Sequence, residues 1–115
     1  MKPFALFFAL SLLLLSSCGG KTAVITADMA REGVSNYCHS NYDWSPAEDH
    51  PDLMYVTLGD ETDSTFQVIF RSYTGSFTYF QVNKSGGRTK MTEYVPALNI
   101  EQDAGTIELL DWLKQ

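Results

Sequence analysis

The chain has 115 residues and a net charge of −6, from 14 acidic against 8 basic side chains. That length holds one domain and little more. The acidic balance disfavours a nucleic-acid partner, and also a membrane site read through basic side chains, because phosphates and anionic headgroups are repelled.

The first 17 residues differ in composition from the rest. Met1-Lys2-Pro3 supplies a short positive start, and residues 4–15 are apolar apart from Ser11. The run is shorter than the roughly 20 apolar residues of a spanning helix and suits the core of an export signal. Narrow side chains follow at Ser16 and Ser17, directly before Cys18. The stretch Leu15-Ser16-Ser17-Cys18 resembles the lipobox of bacterial lipoproteins. The resemblance implies cleavage between Ser17 and Cys18 and a diacylglyceryl thioether on Cys18, with membrane lipid as a partner. Each buried methylene contributes about 0.8 kcal/mol, so two or three acyl chains anchor stably where one does not. Loss of Lys2 leaves seven basic side chains against 14 acidic ones, a mature charge of −7. Cys38 then has no cysteine in its own chain to pair with, and burial as a small hydrophobe is expected.

The expected layout is a cleaved signal over residues 1–17, a tether over 18–25 and one domain over 26–115. In the tether, "GGKTAV" has flexible glycines and too little apolar content for structure of its own. Some lipoprotein systems place an acidic run after the lipidated cysteine as a surface-export signal. None follows here, which favours the periplasmic face of the outer membrane within the cell envelope.

Residues 26–41 have a helical period. Met29, Gly33 or Val34, Tyr37 and Asn41 fall near one stripe, flanked by Ala30 and Cys38. Thr26 is the expected N-cap, and Asp28 lies in the first turn, where the helix dipole favours an acid. Gly33 costs about 1 kcal/mol inside a helix, so its use predicts close approach to a sheet. "SPAE" (45–48) has the form of a capping box with proline at the first helical position, and His50-Pro51 limits it to one short turn.

After Pro51 the period changes to two. Strands are predicted at 53–58, 64–73, 77–83 and 88–95, joined by turns at "GDETD", "TGS" and "KSGG". Phe66, Val68 and Phe70 share one face of the second strand, and Phe80 is expected in the core with them. Gln67, Arg71, Thr65 and Tyr73 mark the solvated face. "TIELLDWLK" (106–114) reads as a short helix turning Ile107, Leu110 and Leu113 inward, with Trp112 at its edge. The fold class is therefore α+β: an N-terminal helix on a four-stranded antiparallel meander, closed by a short C-terminal helix.

Within that pattern, "YFQVNKSGGRTK" (79–90) reads as strand, turn and strand after a helix. Over residues 26–95 this is similar to the PepSY and cystatin-like small envelope domains. The resemblance implies binding or inhibition of peptidases rather than catalysis, by analogy of fold.

Catalytic constellations are weak. Cys38 and His39 are adjacent, and neighbours on a helix point about 100° apart, so they do not face one another. Asp43, Glu48, Asp49, His50 and Asp52 form the densest polar cluster, without the ligand spacing of common metal sites. "TGSFT" (74–78) lacks the nucleophile-elbow spacing. The aromatics stand out: 12 Phe, Tyr and Trp remain after residue 17, more than a small core takes. Tyr42, Trp44, Tyr73 and Tyr79 have polar tips or polar neighbours and are the candidate binding residues. The expectation is a membrane-anchored, non-enzymatic binding module of the bacterial cell envelope, without metal or cofactor. Its partner would be a peptidase or another envelope protein, and not nucleic acid. A metal-dependent or enzymatic protein using residues 43–52, and a structural subunit of an envelope complex, are the alternatives.

Overall fold

A computed structural model describes residues 22–113. The signal segment 1–17, Cys18 with its cleavage site, and the tether residues up to 21 lie outside the described residues.

Helix α1 (Ala27–Asn41) forms where the period and the cap place it. Thr26 is extended, and its Oγ1 accepts the Met29 N–H at 3.2 Å. The face that α1 buries carries Ala30, Gly33, Val34 and Cys38, while Met29 and Tyr37 pack at its border. The helix ends at Tyr42, whose extended backbone N–H donates to the Cys38 carbonyl at 3.0 Å.

Two three-residue 3₁₀ turns follow, Ser45–Ala47 and Pro51–Leu53, in place of the single turn predicted. The capping box does not form. The Ser45 N–H and hydroxyl both donate back to Asp43 Oδ1, at 3.0 and 2.8 Å, and leave the first turn without a side-chain cap.

Five strands then run in sequence as an antiparallel meander: β1 (Tyr55–Glu61), β2 (Thr65–Arg71), β3 (Phe77–Asn83), β4 (Arg88–Val95) and β5 (Ile100–Glu108). The chain closes with the short helix α2 (Leu109–Leu113). The α+β class is as expected, but the sheet has five strands rather than four. β5 replaces a segment with no strand signature: eight of its nine residues are exposed and none is buried. Its ladder to β4 orders it, aided by Arg88–Glu108 at 3.1 Å and Gln102–Glu93 at 3.1 Å. A bulge opposite Met91 and Thr92 is made by Gly105 at φ +105°, a value that favours glycine. The C-terminal helix therefore starts at Leu109, three residues later than predicted. β1 likewise runs through Gly59 to Glu61 across a bulge, so the first turn is shorter than "GDETD" suggests.

The core lies between α1, α2 and one sheet face. Phe66, Val68 and Phe70 on β2, Phe80 and Val82 on β3 and Met91 on β4 are buried against Val34, Cys38 and Leu109. Each large apolar side chain fully buried contributes about 1.5–3 kcal/mol. Leu109 fixes the tightest contact. A Cβ on Gly33 would stand 2.4 Å from its Cδ1, and one on Gly87 would stand 3.2 Å from its Cβ. Gly33 thus admits the side chain of α2 rather than the sheet itself. At the entry to the domain, Ile25 is buried and donates its N–H to the Lys84 carbonyl at 2.8 Å, and Val24 bridges to Ser85. The last residues of the expected tether are thereby part of the domain. No helix among the described residues is long and apolar enough to cross a membrane.

Candidate functional site

Concave places lie on two sides of the described domain. One is the sheet face opposite the helices, where Asp60, Thr65, Gln67, Tyr79, Gln81 and Glu101 line a polar groove of about 380 Å³. That face also holds a smaller groove lined by Thr65, Gln81, Asn83, Arg88, Lys90 and Thr106. The other side is the end of the domain where α1 stops and β2 turns into β3, with a groove of about 280 Å³. Tyr42, Met54, Tyr73 and Glu93 line it, with Asp43 and the 72–76 turn at its rim.

Three of the four candidate aromatics line these grooves, and Trp44 lines none of them. Tyr42 and Tyr73, 41% and 51% exposed, line the groove at the α1 end together. Trp44 is half-buried and structural. Its Nε1 donates to the Cys38 carbonyl at 3.0 Å, its ring stacks on His39 with centroids 3.9 Å apart, and it leans on Phe70. Tyr79 is on the opposite sheet face, beside Phe77 at 6.3 Å between ring centroids. Tyr73 is not on the solvated strand face as its parity predicts, because β2 stops at Arg71. The following turn closes through Ser72 N–H to the Ser76 carbonyl at 2.9 Å and carries Tyr73 outward.

Local structure holds the pair. Tyr42 follows directly on the helix end, and its ring rests on buried Phe70 with centroids 4.7 Å apart. Burial, then the neighbouring Cys38, push the Tyr42 hydroxyl above its ordinary range, partly offset by a hydrogen bond with Thr78. Tyr42 therefore carries its proton at neutral pH. Asp43, fully exposed, is held below the usual carboxylate range by the Ser45 N–H and then the Ser45 hydroxyl. With Glu93 it gives the groove two carboxylates, and none of its lining side chains among the described residues is Lys or Arg. Two aromatic rings, a thioether and two carboxylates suit an apolar or basic side chain of a protein partner better than an anion. Met54 and Glu93 were not singled out from the sequence, because 54 before β1, 73 in the β2–β3 turn and 93 on β4 meet only in the folded domain.

Cys38 and His39 are held in structural roles. Cys38 is a free, fully buried thiol, and burial pushes it up to about 12, so it carries no thiolate at neutral pH. His39 points elsewhere, with its Nδ1 2.9 Å from the Ser35 carbonyl. Among the described residues, no three of His, Cys, Asp and Glu converge to hold a metal ion. No protein-family model, curated protein or solved structure matches this chain.

Proposed function

We propose that the protein is a lipid-anchored binding module of a bacterial cell envelope that meets an envelope protein through the Tyr42–Tyr73 groove. The observation that carries this reading is the pair of exposed tyrosines facing one groove with Met54 and two carboxylates. Tyrosines are enriched among the few side chains that dominate protein interfaces, since each offers a large rigid surface and a polar tip. The acidic rim favours a partner presenting Lys or Arg, whose charge also gains from the tyrosine faces. Acylation at Cys18, supported by the lipobox resemblance, supplies the anchor.

The test has two arms. Cys18→Ala abolishes acyl labelling and leaves an uncleaved precursor; continued labelling refutes the anchor. A photo-crosslinking side chain at position 73 captures one defined envelope partner in cells, and Glu93→Lys removes the adduct. Equal capture from position 79, on the opposite sheet face, would refute the assignment of the groove.

A further inference from the structure

The chain enters the domain at one end only. The Gly86 N–H donates to the Ala23 carbonyl at 2.8 Å, Val24 bridges to Ser85, and Ile25 is buried against the same β3–β4 turn. The β1–β2 turn lies beside it: the Lys84 N–H donates to the Ser64 carbonyl at 2.9 Å, and Lys84 pairs with Glu61 at 2.7 Å. The Tyr42–Tyr73 groove is at the other end, past the full length of α1 and β2.

Chain geometry turns this arrangement into an orientation. Four peptide steps separate Cys18 from Thr22, a reach of at most about 14 Å at full extension. The seven residues of β2 span about 23 Å, at roughly 3.3 Å each. The 15 residues of α1 span about 22 Å, at 1.5 Å each. A bilayer holding acyl chains on Cys18 is thus within reach of the β3–β4 turn, and a domain standing upright on that turn holds its opposite end about 22 Å further away. One surface feature bears on this: Val24, beside the tether, is 77% exposed, ahead of Leu98 in the turn at the opposite end, at 66%. An apolar side chain at a lipid interface loses the cost of standing in water.

We infer that the domain stands on the bilayer by its β3–β4 turn, with Val24 at the phospholipid headgroups and the Tyr42–Tyr73 groove held at the far end. The occupant of this surface is the lipid headgroup layer itself. The inference rests on the lipid anchor proposed above and adds to it a direction. A partner of the groove must then approach from the aqueous side, and one buried in the same membrane does not reach it.

The experiment uses the full-length lipidated protein, with incorporation of acyl label at Cys18 measured on the same sample. It is reconstituted in vesicles of phosphatidylcholine and phosphatidylglycerol containing headgroup-quencher lipid. A fluorophore is attached in turn through Ser85→Cys, Thr74→Cys, Gln81→Cys and Glu32→Cys, with buried Cys38 left native. The expected result is strong loss of fluorescence at position 85, partial loss at 81 and 32, and little at 74. Loss at 81 or 32 equal to that at 85 shows the domain lying on its sheet or helix face and overturns the orientation. Equal loss at 74 and 85 overturns it too, leaving the anchor standing if Cys18 carries label. Absence of label on Cys18 overturns both.

Discussion

Gly33→Ala should destabilise the domain, although alanine is the better helix former by about 1 kcal/mol. In α1 the added Cβ would stand 2.4 Å from Leu109 Cδ1 and 2.7 Å from its Cγ. Leu109 has little room to withdraw: it is fully buried, and its N–H is bonded to the Gly87 carbonyl at 3.0 Å. Overpacking of such a site costs about 1–3 kcal/mol, so the net loss should be about 0–2 kcal/mol after the helical gain is subtracted. Leu109→Ala alone should cost about 2–5 kcal/mol by leaving a cavity. In that background the sign reverses, and Gly33→Ala should stabilise by its full propensity gain of about 1 kcal/mol. Urea unfolding of the four proteins, followed by circular dichroism, reads both legs of the cycle. Stabilisation by Gly33→Ala with Leu109 intact would show that α2 is not seated against α1 as described.

Other outcomes follow from single contacts. Thr26→Ala removes the N-cap acceptor of Met29 and should lower stability by about 1 kcal/mol in the same unfolding assay. Cys38 gives an alkaline signature: burial raises the folded thiol to about 12, so the unfolded chain deprotonates first. Stability should be full below about pH 9 and fall towards pH 12 at up to about 1.4 kcal/mol per pH unit, with Tyr37 and Tyr42 shifted in the same sense. Cys38→Ala should start from a lower stability and fall less steeply above pH 9; an unchanged slope would refute the assignment. Tyr73→Ala should leave the melting temperature nearly unchanged, since the ring is half in water. Its loss of partner affinity, measured by calorimetry once the partner is in hand, should exceed about 1 kcal/mol, roughly fivefold.

The sequence marks an element clearly where local chemistry and burial agree. Thr26 caps a segment whose apolar residues repeat at the helical period, and the alternation of Phe66, Val68 and Phe70 states both the strand and its buried face. β5 has neither signal. Its acidic, exposed residues neither alternate nor favour strands, and its pairing with β4 is a tertiary fact. The candidate site was legible in the same proportion. Exposure of Tyr42 and Tyr73 follows from polar neighbours at an element's end, but their shared groove depends on the packing of α1 across the sheet. Trp44 carries the same composition signal as Tyr42, yet its indole closes over the helix end and is spent on the Cys38 carbonyl.

Among the described residues, the sequential strand order leaves β1 and β5 with one neighbour each, so each borders the sheet with a row of backbone donors and acceptors facing outward. Such borders invite addition of another strand, most of all when many copies are confined to one plane and meet often. Both borders are irregular, with a bulge between Leu58 and Glu61 on β1 and another at Gly105 on β5. Both also carry acids: Asp60 and the Lys84-paired Glu61 on one side, and Glu101, Asp103 and the Arg88-paired Glu108 on the other. Two copies brought border to border would set carboxylate against carboxylate along ladders whose registers do not run straight. The acidity of this small chain, set mostly in residues that bury nothing, would then act in collisions between copies and keep them apart.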